Sequence, residues 1–359
     1  MAPVALAMAE HAELHPVIVH SGQHRTMVRQ ALTPFGLAPD VELVVDRPTG
    51  SQAELAAALL PALDDLLVEC RPAATLVQGD TATTLAGALA AFWRGVPLVH
   101  LEAGLRTGDL ALPFPEEGTR QMVSRIASLH LAPTPSAADA LRAENVSRAR
   151  IVVTGNTAVD AVQHIARADL PPLNDTLLEV EREVEARGGR LVLVTVHRRE
   201  SWGEPMNQVL AAVREIAARY EDCHVVVPTH PNPAVSAQVH DAVGGHPRIA
   251  VLPPLDYPDL VRVLRRAALV VTDSGGIQEE APTFGTPTLV VREVTERLEA
   301  VRAGCAWLVG TTRPAILRTA SWVLDSGVRF RPDANPYGDG KAGVRAVEEI
   351  ERLINSRRT

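Results

Sequence analysis

Lysine is almost absent from this chain. Among its 35 basic residues only Lys341 is not an arginine. That excludes a phosphate loop of the GxxxxGK[ST] kind and leaves one residue for Schiff-base chemistry. Aromatic residues are only 3% of the 359, so the core must be built from Leu, Val, Ala and Ile. Such a core suits helices packed on parallel sheets better than a β-sandwich. Cys70, Cys223 and Cys305 are too scattered for a disulfide framework or a zinc knuckle and are expected to be reduced and inert. No apolar run reaches the roughly 18 residues of a membrane span, and no basic-then-apolar leader opens the chain. A cytoplasmic protein with no membrane partner is expected. The net charge of -8 speaks against nucleic acid as a partner. GxSxG and HExxH are missing, and the glycines around Gly338-Asp339-Gly340 stand in a loop into the last helix rather than after a strand, which argues against NAD chemistry, an α/β-hydrolase and a zinc site; no metal is expected.

What is present is alternation. Short aliphatic runs such as 74–77, 97–101, 191–196 and 267–271 read as buried parallel strands, and amphipathic or Ala/Leu-rich stretches between them read as helices. Ser51 is placed to cap a long helix ending near Cys70. The length suggests two domains at roughly 150 residues each. The paired prolines of Leu170-Pro171-Pro172-Leu173 mark a linker. The expected architecture is α/β: two doubly wound, Rossmann-like domains facing a cleft, residues 1–167 and 168–341, with the last helix (about 342–359) packing back on the first domain.

In open parallel sheets ligands bind beyond the carboxyl ends of the strands. Asp80, Glu102, His197, His230 and Asp273 all stand at such ends. Each also has a plain structural reading. Asp80, in Gln78-Gly79-Asp80-Thr81, suits a helix cap. Glu102 could pair with Arg106, and Glu116, on one side of a helix with Arg120 at i+4, could belong to an ordinary acid-rich first turn. His197-Arg198-Arg199-Glu200 could be a solvated charge run. Asp273-Ser274-Gly275-Gly276, between a strand and a helix, could be an ordinary capped turn or an anion site, since glycines let backbone N–H groups approach a ligand. Glu279 and Glu280 follow one turn later, where they could accept from ribose hydroxyls.

Taken together, Gln78 to Thr81, His100 to Thr107, Pro115-Glu116-Glu117 with Arg120, Thr154 to Thr157, His197 to Ser201, Asp273 to Pro282, Thr295-Glu296-Arg297 and Asn335 to Lys341 resemble the non-hydrolysing UDP-N-acetylglucosamine 2-epimerases. The resemblance runs from about Pro3 to the last helix. It implies a two-domain glycosyltransferase-B-like fold, interconversion of UDP-GlcNAc and UDP-ManNAc, no cofactor, and a homodimer. It implies Asp80, Glu102 and Glu116 as catalytic carboxylates supported by Arg120 and His197. Ser274, Gly275 and Gly276 would hold the diphosphate, Glu280 the ribose, and His230 would join the UDP site. Gln23 and His24 resemble residues that bind a second, activating UDP-GlcNAc. The family's opening strand and Gly-Thr-Arg-Pro-Glu turn have no counterpart, so the first strand of the amino-terminal domain is expected to be missing. Leu298 stands where the family carries proline. The alternatives are a hydrolysing epimerase releasing UDP and ManNAc, a glycosyltransferase of the same architecture, and a truncated, inactive UDP-sugar-binding protein.

Overall fold

The computed structural model of the chain describes residues 1–23, 25–146, 150–198 and 201–357. The chain forms two compact units, Met1–Ala161 with Tyr337–Thr359, and Val162–Pro336.

In the first unit the elements run α1 (Ala2–Ala9), β1 (Val19–His20), α2 (Arg25–Leu32), β2 (Val41–Glu42), α3 (Gln52–Cys70), β3 (Thr75–Gln78), α4 (Ala82–Trp93), β4 (Leu98–Leu101), α5 (Glu116–Ile126), β5 (Leu129–Ala132), α6 (Pro135–Ala143) and β6 (Arg150–Val153). Strands β3-β4-β5-β6 form one parallel sheet in that order, and β1-β2 a separate parallel pair. Val99, Leu101, Leu129 and Leu131 face Val4 of α1 and the apolar stripe Ala346, Val347, Ile350 and Ile354 near the chain's end. The opposite face packs Val77 and Leu98 against Ala88, Ala91 and Val123 of α4 and α5. Local chemistry explains the helix starts. Ser51 and Glu54 close a reciprocal capping box on α3, and Thr81, not Asp80, caps α4 by accepting from the Thr84 amide.

Helix α7 (Thr157–Ala168) leads to α8 (Asp175–Arg187). The proline linker between them is pinned by Asp259, which accepts from the Leu173 and Asn174 amides at 2.9 and 3.0 Å. Asn174 caps α8, a helix whose signals were its Asn cap, the Leu177–Glu181–Val184 spacing and the Gly188 stop. The second unit continues β7 (Arg190–Thr195), α9 (Glu204–Arg219), β8 (Cys223–Pro228), α10 (Pro233–Val243), β9 (Ile249–Leu252), α11 (Tyr257–Arg266), β10 (Ala267–Thr272), α12 (Gly275–Glu280), β11 (Thr288–Val290), α13 (Leu298–Arg302), β12 (Ala306–Leu308) and α14 (Arg313–Ser326); α15 (Ala342–Asn355) returns to the first unit. Its six parallel strands lie in the order β12-β11-β10-β7-β8-β9. Val192 and Val194 face α9, α10 and α14, while Leu191 and Leu193 face α8 and α11. The strands are therefore apolar on both faces, as a parallel sheet covered by helices requires. The order reverses between β7 and β10. That pair marks the switch point beyond whose carboxyl ends such a sheet opens a crevice.

No helix among the described residues is long and apolar enough to cross a membrane.

Candidate active site

In the first unit the turn after β3 brings Gly79 to φ +71° and presents Asp80. Because Thr81 caps α4, the Asp80 carboxylate is left to accept from Arg120 Nε at 2.7 Å. Arg120 is one turn into α5, nearly buried, and its Nη1 also meets Glu117 at 3.1 Å. Glu117 is wholly buried and takes further bonds from Gln121 at 2.9 Å and from the Thr107 amide at 3.1 Å. Burial would raise its pKa; the bonds from Gln121, Thr107 and Gly108, with the charge of Arg106, outweigh burial and leave it lowered. Glu117 was quoted in a motif, but no role was read from it. Its signal, a carboxylate three residues before an arginine on a helix, is too common to single it out.

The local Glu102–Arg106 pair does not form. Arg106 turns to Glu144, Ser124 and its neighbour's carbonyl, and Glu102 instead accepts from Gln78 Nε2 at 3.1 Å. Glu102 has φ +60°, a left-handed conformation that costs a non-glycine residue about 1–3 kcal/mol. It sits immediately beyond β4, so the strained backbone presents a carboxylate at a strand end. A Cβ on Gly79 would stand 3.7 Å from the Glu102 carboxylate; the two turns are packed together. Glu116 opens α5, and Arg120 follows at i+4 on the same face. Asp80, Glu102 and Arg120 are thus gathered by β3, β4 and α5, with Glu116 on the Arg120 face. Gln23 lies in the turn after β1, and His24 lies outside the described residues.

In the second unit the switch point carries the expected residues. Thr195 and Thr272, the last residues of β7 and β10, share a 2.6 Å hydroxyl bond, and the Thr272 hydroxyl also accepts from the Ser274 amide. Asp273 is wholly buried and caps nothing ahead of it. It reaches back to the end of β7, where it accepts from the His197 amide at 3.0 Å, the Arg198 amide at 2.9 Å and the Ser201 hydroxyl at 2.8 Å. His197 and Arg198 keep partly exposed side chains on backbone held by Asp273; Arg199 and Glu200 lie outside the described residues. The His197 ring has Nδ1 3.6 Å from Asp273 and stacks on His230, with centroids 6.0 Å apart and planes 10° apart. His230 Nδ1 accepts from the Asn232 amide at 3.1 Å.

Ser274 makes no side-chain cap to α12. The Arg297 guanidinium lies 3.0–3.3 Å from where a Cβ on Gly275 would stand. Any larger residue there would displace it. Arg297 also holds Glu279 at 3.0 Å, which removes Glu279 as a free acceptor and leaves Glu280 bound by the Tyr257 hydroxyl at 3.1 Å. Burial, with Glu279 adding to it, pushes the Glu280 carboxyl up to about 8 against the pull of that hydroxyl. Arg297 stood in a quoted motif without an assigned role. Only the folded turn shows it against Gly275.

The comparisons with known proteins agree over nearly the whole chain. The model of the family described as UDP-N-acetylglucosamine 2-epimerase matches residues 6–351. The chain belongs to the UDP-N-acetylglucosamine 2-epimerase family. It is 41% identical to the Bacillus subtilis (strain 168) UDP-N-acetylglucosamine 2-epimerase, over 98% of this chain and 91% of that one. The UDP-GlcNAc 2-epimerase of Neisseria meningitidis, solved bound to UDP-GlcNAc, superposes with a TM-score of 0.87 at 33% identity, covering 98% of this chain and 96% of that one. A Staphylococcus aureus (S. aureus) protein solved with UDP gives a TM-score of 0.89 at 36% identity, over 99% and 93%.

Proposed function

We propose that the chain interconverts UDP-GlcNAc and UDP-ManNAc without hydrolysis, through elimination and re-addition of UDP. The observation that carries this reading is the first unit's carboxylate cluster: Asp80 tied to Arg120, with Glu102 strained beside the same turn. The hydrogen at carbon 2 of the sugar has no adjacent carbonyl to make it acidic. Departure of UDP, taking the electron pair of the C1–O bond, creates an oxocarbenium-like centre that acidifies it. A carboxylate then takes the proton and leaves 2-acetamidoglucal. A second carboxylic acid delivers a proton to the opposite face of carbon 2, and UDP returns to carbon 1. The chemistry needs paired carboxylates that stabilise a cation and move protons. Asp80, Glu102 and Glu116 supply them, with Arg120 setting the charge balance.

The departing diphosphate needs donors and cations. Ser274, Gly275, Gly276 and Arg297 are assigned to it, His197 to protonating or neutralising the leaving group, and His230, stacked on His197, to the UDP site. Glu280 is assigned to the ribose hydroxyls. The same family reading assigns Gln23 and His24 to a second, activating UDP-GlcNAc and makes the protein a cytoplasmic homodimer, which sedimentation velocity tests for assembly.

The deciding experiment incubates the protein with UDP-GlcNAc in heavy water and follows carbon 2 by NMR. Deuterium at carbon 2 of intact UDP-GlcNAc and UDP-ManNAc is the expected result. Free ManNAc with UDP would make it a hydrolysing epimerase. Binding without exchange would make it a UDP-sugar-binding protein.

A further inference from the structure

The turn that presents Asp80 is held from beneath by a residue that the mechanism does not use. His100 is the third residue of β4 and is wholly buried. Its Nε2 lies 2.8 Å from the Gly79 carbonyl oxygen. A carbonyl only accepts, so His100 carries a proton on Nε2 and donates it. Burial drives the His100 pKa down to about 4, with the Gly79 bond pulling the other way, and the ring is neutral at physiological pH.

The rest of the turn is tied as well. The Gln78 carbonyl accepts from the Thr84 hydroxyl at 2.6 Å, and the Gly79 amide donates to Leu101 at 3.1 Å. The Gly79 carbonyl is the group leading directly into Asp80, and His100 is its side-chain partner. The imidazole is a costly way to fill this space. Among the described residues its Nδ1 has no hydrogen-bond partner, and neither nitrogen of His130, its neighbour on β5, has one. A buried, unsatisfied polar group costs about 1–3 kcal/mol. A hydrocarbon would avoid that cost but could not donate to Gly79.

We infer that His100 is a positioning residue, whose Nε2–H bond to the Gly79 carbonyl fixes the turn on which Asp80 meets Arg120 and against which Glu102 packs. The inference rests on the catalytic reading of Asp80. The test compares His100→Phe, His100→Gln and Asp80→Asn in the whole chain. It reads kcat and KM by carbon 2 deuterium exchange, the UDP dissociation constant by calorimetry, and the melting temperature. His100→Phe should lower kcat roughly 10- to 100-fold per UDP-binding molecule, as expected for a displaced catalytic group, with KM and UDP affinity within about twofold. His100→Gln, whose amide N–H can reach the same carbonyl, should recover at least about tenfold.

A melting temperature that falls while kcat stays unchanged would show a purely structural histidine and overturn the inference. Equal kcat losses in both variants would overturn it too. If His100→Phe does not fold, His100→Gln decides alone: the inference fails if its kcat drops more than about 100-fold. Full turnover in Asp80→Asn removes the catalytic reading and this inference together. Inactive Asp80→Asn beside fully active His100→Phe removes this inference alone.

Discussion

The strand-end clusters of the two units are stabilised in opposite ways. In the first, side-chain charge holds side-chain charge: Arg120 lies between Asp80 and the buried Glu117, and Glu102 rests on a glutamine amide. In the second, one buried carboxylate, Asp273, collects main-chain N–H groups and a hydroxyl, so that the backbone itself is clamped. The first arrangement places carboxylates at strand ends beside one guanidinium, the pairing that acid–base chemistry uses. The second leaves a rigid frame whose open groups, the Ser274 hydroxyl and the turn after it, are available to a ligand. The contrast suggests chemistry in one unit and grip in the other.

The sharpest break of that division is Glu102→Gln. It should lower carbon 2 exchange by roughly a thousandfold, within the range for general acid–base groups, while calorimetry finds UDP affinity unchanged. Near-normal exchange would remove Glu102 from the chemistry. Next comes Arg120→Met. Removing one partner of a buried pair costs about 3–5 kcal/mol, and here it leaves Asp80 without its arginine and Glu117 with only its bonds from Gln121, Thr107 and Gly108. The Glu117 carboxyl is held ionised in the fold, so the stability that it contributes is present above its unfolded pKa and is lost as pH falls through its lower folded value. The variant should therefore melt well below the parent at pH 7, and the gap should narrow on acidification as Glu117 takes a proton. A constant gap across pH would mean that Arg120 acts only through packing.

The smallest effect belongs to Glu280. Its carboxyl is raised to about 8 in the free protein, and ribose hydroxyls donating to it would favour the ionised form. Binding then releases a proton. UDP affinity should climb with pH from 7 to about 8 and flatten above, by up to about tenfold per pH unit. Glu280→Gln should abolish the slope. A parent protein whose UDP affinity ignores pH would sink the ribose assignment.

Much of this molecule was legible before it was folded. The β10 run 267–271, the Ser51 cap and the strand-end rule depend on neighbours a few residues away, and those neighbours are in the sequence. Helix α8 could have been read from Asn174 and Gly188 but was obscured by its density of charge. The partners at the sites were not legible. Asp80 was as good a cap as Thr81 on paper; the turn geometry gave the cap to Thr81 and the carboxylate to an arginine 40 residues on. Asp273 reads as a helix cap, yet it turns back to His197, Arg198 and Ser201 in the segment after β7, 72–76 residues earlier, because β7 and β10 are hydrogen-bonded neighbours in the sheet.

By itself the sequence determined the class of fold, through its aliphatic strand runs and scarcity of aromatics, and the set of residues that could do chemistry, through their places at strand ends. The tertiary structure decided which carboxylate is free, which is paired and which is buried as an anchor. Periodicity and capping act within a turn or two of backbone, whereas an ion pair forms with whichever opposite charge the packing brings within about 4 Å. In a chain whose cations are nearly all arginine, composition offers many equivalent partners, and only the fold chooses among them.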